Sequence, residues 1–301
     1  MPPHGGLSAS LGEGTGATQL GRPRGPALGR RPRAGDDGRV LVIAHLSDPH
    51  LGGRWSPAER TGRVLAYLTR LDPPVDVILV TGDIADHGDI EEYAEASRVL
   101  AEWTGAAPIL VLPGNHDRRE TYAAWRGAPP DEPVNEAHRV GGHRFLMLDS
   151  MIPAPPGERI DPGLLTDASL AWLEDQLASR EPGERAFVCL HHPPVDVGIS
   201  LMDPIRLTNA DALAQVLDRH ADVLAVMVGH AHTACATSYA AMERPLPVLV
   251  PGGLASTVPL DAEPFDPITP DLPPTFALHL VGDDGRIVTH WRSLPAVGEG
   301  R

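Results

Sequence analysis

The sequence has no apolar run near the roughly 18 residues that a membrane-spanning helix needs. We therefore predict no membrane span, although 42% of the 301 residues are hydrophobic. A chain of this length can bury a full core, either as one large α/β domain or as two small ones.

Cysteine is also scarce. The two cysteines, Cys189 and Cys235, give no disulfide framework, and both lie in or beside apolar segments. Reduced structural thiols are favoured over a functional pair, which predicts a cytoplasmic location. The pair Arg30-Arg31 raises twin-arginine export as an alternative, but a charged stretch and a short strand follow it where a signal core would stand.

Lysine is absent: all 25 basic residues are arginine, against 40 acidic residues, and the formal net charge is −15. This excess of negative charge argues against wrapping duplex DNA, because such binding depends on many phosphate-neutralising cations. Acidic residues gathered around metal ions remain compatible with the composition, since the metals invert the local field.

The N-terminal segment differs from the rest of the chain. It is rich in glycine, proline and arginine, as in "GRPRGPALGRRPRAG", and has almost nothing to bury. We therefore predict a disordered tail over residues 1–36 and a single domain over residues 37–301. A mistaken start codon would explain the tail equally well.

Short apolar runs rich in β-branched residues alternate with segments of helical periodicity from residue 39 onward. This alternation is typical of the α/β class, with a largely parallel sheet covered by helices. Three C-terminal runs lack intervening helices, so we expect them to be antiparallel and to complete a second sheet. The predicted strands lie at 40–46, 76–80, 108–112, 145–149, 186–191, 223–229, 247–250, 275–281 and 286–291.

Four helices are predicted between these runs, because their apolar residues recur at helical spacing behind residues that favour an N-cap. The predicted caps are Ser56, Asp89, Thr166 and Asn209, in front of helices over 56–71, 89–103, 166–179 and 208–219.

Five of the apolar runs end in polar residues of metal-ligand type. In open α/β sheets, ligands bind outside the carboxyl ends of the strands, so these side chains are expected to meet. The segments are "SDPH", "TGDIAD", "PGNHD", "HHPP" and "GHAH", which contain Asp48, His50, Asp83, Asp86, Asn115, His116, Asp117, His191, His192, His230 and His232.

Each segment alone has an ordinary structural explanation as a turn, a cap or a loop held by prolines, but surface histidines have no reason to choose the same end of successive strands. Together they predict a metal site. Carboxylate, imidazole and amide donors suit manganese, iron or zinc better than calcium. Their number exceeds the needs of one tetrahedral ion, so we predict two metals sharing a bridging carboxylate and a bridging hydroxide.

Taken in order, the motifs D-x-H, GD-x-x-D, GNHD, H-x-P and GHxH resemble those of the calcineurin-like metallophosphoesterase superfamily. The match covers about residues 39 to 295. The continuation "HHPPVDVGISLMDPIRLTNADAL" is similar to bacterial class III cyclic-nucleotide phosphodiesterases and their glycerophosphodiesterase relatives. The resemblance implies a four-layer αββα sandwich of two mixed β-sheets, with a dimetal centre at the carboxyl ends of the strands.

The resemblance also implies a role for each motif residue. His191 is preferred to His192 because the superfamily's ligand lies two residues before the proline. The first metal would be held by Asp48, His50 and His232, Asp83 would bridge, and the second metal would be held by Asn115, His191 and His230.

By the same resemblance, His116 would be a catalytic residue that is not a ligand. It would stabilise developing charge or help protonate the leaving alkoxide, and the carboxylate of Asp86 would orient it. Asn115, His116 and His232 would contact the substrate. One departure is visible: many members have arginine after that aspartate, where this chain has His87, and its absence favours diester substrates.

The function implied is hydrolysis of small anionic phosphodiesters, with 3′,5′-cyclic AMP first and glycerophosphodiesters or other small diesters as the alternative. A nuclease or a non-catalytic scaffold is less favoured. Iron or manganese leads as the metal pair, with zinc or cobalt as alternatives, and a homodimer stays open. Weak candidates for substrate contact are Met202, Asp203 and Arg206, which fit a solvated loop equally well.

Overall fold

Two stacked β-sheets covered by helices make up the part of the chain that the structure describes. The computed structural model describes residues 40–155, 157–240, 242–260 and 268–295. The helices are α1 Pro57–Leu68, α2 Ile90–Leu100, α3 Arg119–Arg126, α4 Asp167–Ala178 and α5 Ala210–Leu217, and a 3₁₀ turn covers Asp203–Ile205. The strands are β1 Leu41–Leu46, β2 Val77–Thr81, β3 Ile109–Leu112, β4 Glu136–Val140, β5 His143–Met147, β6 Arg185–Cys189, β7 Val223–Met227, β8 Cys235–Tyr239, β9 Leu246–Val250, β10 Thr275–Val281 and β11 Ile287–Ser293.

Both sheets are mixed. The first has the strand order β11-β10-β1-β2-β3. In it β1, β2 and β3 are parallel to one another, and β10 is antiparallel to both of its neighbours, β1 and β11. The second has the order β4-β5-β6-β7-β9-β8, with four parallel central strands and an antiparallel strand at each edge.

The alternation of side chains along the strands produces four layers, because successive residues of a strand point to opposite faces. In β1, Ile43 packs between the sheets in one cluster with Phe187 of β6. Its neighbour Ala44 packs outward in a cluster with Val64 of α1. A third cluster packs the outer face of the second sheet against α4 and α5. The predicted αββα sandwich is confirmed.

Two of the predicted helix caps are confirmed. Thr166 Oγ1 accepts a hydrogen bond from the backbone N–H of Ser169 at 3.1 Å, at the start of α4. Asp89 and Glu92 form a capping box at the start of α2. Caps of this kind satisfy backbone donors that the helix itself leaves without partners.

The other two predicted caps are wrong. Ser56 precedes α1 in a left-handed conformation, with φ of 55°, and its side chain makes no cap hydrogen bond. Asn209 precedes α5, but its amide pairs with the backbone of Leu165 at 2.7 and 3.1 Å. In both cases the side chain lacks the geometry of a cap, although the helix begins where the pattern predicts.

The sequence suggested that the three C-terminal runs complete the second sheet together, and this prediction is wrong. β9 enters that sheet parallel to β7, whereas β10 and β11 join the first sheet beside β1. Three elements escaped prediction, α3, β4 and β8. The two strands lie at sheet edges and are largely polar, with burial alternating along each, so no apolar run marked them.

The predicted tail and its boundary lie outside the described residues. Cys189 is buried and Cys235 is half-buried, and both are free thiols in the described structure. Among the described helices, none has the length and apolar character needed to cross a bilayer.

Candidate dimetal site

All seven predicted metal ligands lie together beyond the carboxyl ends of five strands. None is more than 7% exposed, although every one is polar. Burial of so many polar groups is costly unless each has a partner, so their gathering points to a binding site. They are Asp48 and His50 after β1, Asp83 after β2, Asn115 after β3, His191 after β6, and His230 and His232 after β7.

The backbone at this site is strained. Five of the seven residues have positive φ, a region that side chains other than glycine rarely adopt. Such strain persists only where the surrounding structure enforces it, and it is concentrated at functional sites. The angles are 55° at Asp48, 44° at His50, 51° at Asp83, 67° at His230 and 53° at His232.

Glycines provide the space between the site loops. Gly82 has φ of +97°, and a Cβ there would collide with the imidazole of His191. A Cβ on Gly114 would collide with the carboxylate of Asp83. Only glycine fits at both positions without moving a neighbouring site residue.

The first group of ligand atoms comes from Asp48, His50, Asp83 and His232. Nε2 of His50 lies 3.1 Å from Nε2 of His232 and 3.4 Å from Oδ2 of Asp83. Nε2 of His232 lies 3.4 Å from Oδ1 of Asp48. Two carboxylates and two imidazoles therefore face one small volume.

The other ring nitrogens of this group have oxygen partners. Nδ1 of His50 lies 2.9 Å from a carboxylate oxygen of Asp86, and Nδ1 of His232 lies 3.0 Å from the hydroxyl and 3.3 Å from the carbonyl oxygen of Ser256. Because these oxygens accept hydrogen bonds, each Nδ1 carries the hydrogen and each Nε2 presents a lone pair. Both rings are thus held in the tautomer of a metal ligand.

The second group comes from Asp83, Asn115, His191 and His230. Nδ1 of His191 donates to the carbonyl oxygen of Thr81 at 2.7 Å, which leaves Nε2 as the nitrogen that can meet a metal. That Nε2 lies 3.0 Å from Oδ1 of Asn115, 3.2 Å from Nδ1 of His230 and 3.4 Å from Oδ1 of Asp83. Nitrogen and oxygen donors again face one another.

Asp83 connects the two groups. Its Oδ2 lies 3.4 Å from His50, and its Oδ1 lies 3.4 Å from His191. One carboxylate therefore presents one oxygen to each group, which is the placement that a bridging ligand needs.

The local electrostatics fit cations. Burial would lower the pKa of His191, but the charges of Asp83 and Asp48 outweigh it and raise the pKa to about 9. Burial would also raise the pKa of Asp83, but His191, His116 and His50 hold it well below its usual range. The buried carboxylates thus favour positive charge between them.

Two buried atoms at the site give an independent test. Oδ2 of Asp48 and Nε2 of His230 have no hydrogen-bond partner among the described residues. Such unsatisfied buried atoms are rare in proteins, and the place of a bound ion is one of their ordinary explanations. The donor set of carboxylate, imidazole and amide fits divalent iron, manganese, zinc or cobalt.

His192 lies in one group of possible metal ligands with His191 and His230, and its ring packs against both. Its Nε2 donates to the carbonyl oxygen of Asp161 at 3.0 Å, and its Nδ1 accepts from the hydroxyl of Ser150 at 2.8 Å. Both ring nitrogens are therefore used, and His192 supports the site from behind.

The structure changes the expected relation between Asp86 and His116. Nδ1 of His116 donates to the backbone carbonyl of Asp86 at 2.8 Å, whereas the carboxylate of Asp86 lies 3.7 Å away and pairs with His50. Asp86 therefore holds His116 through its backbone and orients His50 through its side chain. Burial, together with the charges of His50 and Arg159, lowers the pKa of His116 to about 4 against the effect of Asp83.

Two cavities open over the site. The loop cavity, of about 300 Å³, lies between the segments that carry Asp86, His116, Arg118 and Arg159. The apolar cavity, of about 230 Å³, borders the ligand groups directly. Its apolar wall consists of Leu201, Met202, Ile205, Val258 and Ile268.

The weak candidates divide into one that borders a cavity and two that do not. Met202 lies in the apolar wall. Asp203 accepts the backbone N–H of Val197 at 2.7 Å, and Arg206 pairs with Asp196 at 2.7 Å. Asp203 and Arg206 therefore stabilise their own loop.

Sequence reasoning missed Arg159 and Asp161. Asp161 accepts from the amide of Asn115 at 3.3 Å and from Nε of Arg159 at 2.5 Å, and Arg159 reaches His116. Both residues lie in the connection between β5 and α4, which has no periodic pattern. The only available signal was the isolated charge pair in "GERIDPG".

Comparison with characterised proteins gives relatives over most of the chain. The chain is 33% identical over 256 residues to a probable cyclic nucleotide phosphodiesterase of Rhodopseudomonas palustris, covering 81% of this chain and 89% of the relative. It is 34% identical over 204 residues to the 3′,5′-cyclic adenosine monophosphate phosphodiesterase CpdA of Pseudomonas aeruginosa, covering 65% and 71%. It is 32% identical over 214 residues to the glycerophosphodiester phosphodiesterase GpdQ of Enterobacter lignolyticus, covering 66% and 73%.

Among solved structures, a dimetal phosphatase from Danio rerio has a similar fold, with a TM-score of 0.61 at 18% identity over 84% of this chain and 96% of that one. The family model for calcineurin-like phosphoesterases matches residues 41–234, which include all seven ligand positions. The chain belongs to the calcineurin-like phosphoesterase family.

Proposed function

We propose that this chain is a metal-dependent phosphodiesterase that hydrolyses small anionic phosphodiesters, and that 3′,5′-cyclic AMP is its substrate. The product would be the nucleoside 5′-monophosphate. The observation that carries the proposal is Asp83, whose two oxygens face two separate groups of ligand atoms.

The proposed ligands follow from those groups. Asp48, His50 and His232 would hold one divalent metal, Asn115, His191 and His230 would hold the other, and Asp83 would bridge. When bound, the pair would activate water and polarise the phosphoryl group. Iron or manganese is the preferred pair.

The chain's own residues would position the substrate and stabilise its charge. His116 borders both cavities, so it can meet the phosphoryl group from either side. The backbone carbonyl of Asp86 fixes its ring, which directs Nε2 away from that carbonyl and towards Arg159. We propose that Nε2 faces the leaving oxygen once substrate is present, with Asn115 and His232 as further contacts.

The apolar cavity supports a nucleotide over glycerol-based diesters. Besides the polar residues of the site, its lining has the apolar wall of five side chains already named, and that wall suits a flat purine better than a polar glycerol group. The relatives named for cyclic nucleotides agree with this choice. The relative named for glycerophosphodiesters makes that class the second candidate.

Two other classes fit less well. A nuclease would use a basic groove, whereas the chain carries a formal charge of −15. A non-catalytic scaffold has no need to keep a complete buried ligand set with strained backbone. The cytoplasmic location and a homodimer stay predictions.

A substrate panel tests the proposal. Protein reconstituted separately with Mn²⁺, Fe²⁺ and Zn²⁺ would be assayed on 3′,5′-cyclic AMP, 2′,3′-cyclic AMP and glycerophosphocholine. The highest kcat/KM should belong to 3′,5′-cyclic AMP with iron or manganese. A higher value for glycerophosphocholine with every metal would overturn the choice of substrate.

A pair of leucines tests the apolar wall. Leu201 borders the apolar cavity and is 39% exposed, so Leu201→Ser should fold normally and raise KM for cyclic AMP about tenfold, in the range expected for a lost apolar contact. Leu164→Ser is the matched control, because Leu164 is also 39% exposed and lies outside both cavities. Equal KM values in the two variants would exclude a base-binding wall.

A further inference from the structure

Arg159 borders both cavities, and its guanidinium faces the reacting centre, unlike those of the two other arginines at the loop cavity. Arg118 and Arg119 also border the loop cavity, but Arg118 pairs with Asp89 at 3.4 Å and Arg119 pairs with Asp149 at 3.0 Å. Their charges are therefore directed to carboxylates outside the reacting centre.

The connection that carries Arg159 is fastened to the site. Nε of Arg159 donates to Oδ1 of Asp161 at 2.5 Å, and the same oxygen accepts from the amide of Asn115 at 3.3 Å. The backbone carbonyl of Asp161 accepts from His192 at 3.0 Å. The guanidinium is thus held at Nε by Asp161, whose own backbone is fixed by the hydrogen bond from His192.

The opposite edge of the guanidinium faces the reacting centre. Nη1 of Arg159 lies 2.7 Å from Nε2 of His116. Because Nδ1 of His116 donates to the carbonyl of Asp86, Nε2 accepts this hydrogen bond. Nη2 makes no hydrogen bond with the described residues, so two donors are available beside His116.

For an anionic substrate, such a cation would add to the positive charge of the two proposed metals. Asp48, Asp83 and Asp86 surround the centre, and the chain is acidic overall. His87 does not supply positive charge to the cleft, because its side chain is 62% exposed and pairs with Glu92 at 2.8 Å. A guanidinium with two parallel donors matches two oxygens of a phosphate group.

We propose that Arg159 binds the phosphate group of the substrate through Nη1 and Nη2, exchanging its contact with His116 for two phosphate oxygens. Asp161 would position it by holding Nε. This inference rests on the proposed function, because it places the phosphate beside His116.

The test measures binding of inorganic phosphate by calorimetry, together with kcat and KM for cyclic AMP, on manganese-loaded protein. Arg159→Gln should weaken phosphate binding about tenfold to a hundredfold and raise KM, as expected for loss of a charged hydrogen-bond pair. The phosphate affinity and KM of Arg159→Lys should lie between those of wild type and Arg159→Gln, since lysine keeps the positive charge but lacks the two parallel N–H donors of the guanidinium. Arg206→Gln is the matched control, because Arg206 pairs with Asp196 in the same way outside both cavities.

Three results would overturn the inference. Unchanged phosphate affinity with a lower kcat would mean that Arg159 only positions His116. Loss of metal from Arg159→Gln would mean that it maintains the ligand set. An equal effect of Arg206→Gln would indicate general electrostatics. If the wild-type protein hydrolyses no diester but Arg159→Gln still loses phosphate affinity, the proposed function fails and the phosphate site stands.

Discussion

His50 and His232 direct their Nε2 atoms at each other across 3.1 Å, while the Nδ1 of each ring faces an oxygen acceptor. Two lone pairs in that arrangement repel unless a cation lies within reach. The pair therefore marks a place that favours a cation, whether a shared proton or a metal ion.

The first prediction concerns metal content. Protein reconstituted with Mn²⁺ should bind about two ions per chain, because Asp83 faces two ligand groups, and chelation should lower Tm. Elemental analysis and thermal unfolding measure both effects. Asp83→Asn should reduce the stoichiometry, whereas Asp196→Asn, a substitution in an exposed ion pair, should not. A wild-type stoichiometry that never exceeds one would contradict the bridging role.

The second prediction compares two asparagines. Asn115→Ala should lower kcat at least about a hundredfold and weaken metal binding without unfolding the chain, since a ligand oxygen is lost. Asn135→Ala should instead lower Tm and keep specific activity, because Asn135 is not a proposed ligand and its amide accepts from the backbone N–H of Asp149 and donates to Ser169. Full activity in the folded fraction of Asn115→Ala would make Asn115 structural.

The ligand set could be predicted because each ligand follows an apolar strand that the pattern reveals. Asn115 and His230, for example, come directly after glycines that end such runs. Parallel strands bring their carboxyl ends together, so residues that directly follow such strands in the sequence could be predicted to lie close together in space.

The contacts around the ligands could not be predicted in the same way. Asp161 meets Asn115 across 46 residues of chain, from a connection without periodicity. Asp86 was expected to hold His116 by its carboxylate, but its backbone carbonyl does so. The distances from Nδ1 of His116 to these two oxygens differ by about 1 Å, and the sequence carries no sign of such a difference.

The third prediction concerns acid stability. His279 is buried on β10, between His45 and Thr289, and burial lowers its pKa to about 3. Because the folded pKa lies below the unfolded value, the stability it contributes is present above about pH 6.5 and is lost as the pH falls towards 3. The loss should reach about 2 kcal/mol at pH 5.

His279→Gln should therefore lose less stability than wild type between about pH 7.5 and pH 5. Urea unfolding of metal-free protein at the two pH values measures the difference. His290→Gln, a substitution of an exposed histidine on β11, is the control and should follow wild type. An identical pH dependence for His279→Gln would show that His279 is not held neutral.

The fourth prediction concerns residues 1–36. Their removal should leave kcat and Tm unchanged, because β1 pairs with β2 and β10 within the described fold and the ligands lie beyond its far end. Kinetics on cyclic AMP and soluble yield test this. A large loss of either would show that the segment contributes to the domain.

The last prediction concerns His116. In the proposed function the metals activate the water, so His116 would instead stabilise the transition state and protonate the leaving oxygen. His116→Ala should keep both metals and lose about 10²- to 10⁴-fold in kcat on cyclic AMP, the usual range for a positioned acid-base group. The loss should be smaller on bis-nitrophenyl phosphate, because nitrophenolate leaves without a proton.

The contact with Arg159 sharpens this comparison. Nε2 of His116 accepts from Arg159 at 2.7 Å, so it can donate a proton to the leaving oxygen only after that contact is broken and Nε2 has taken up a proton, for example the one released by the attacking water. Equal losses on the activated and the unactivated diester would therefore exclude proton donation and leave charge stabilisation as its role. Loss of metal from His116→Ala would place His116 among the ligands, against the backbone hydrogen bond that fixes its Nδ1.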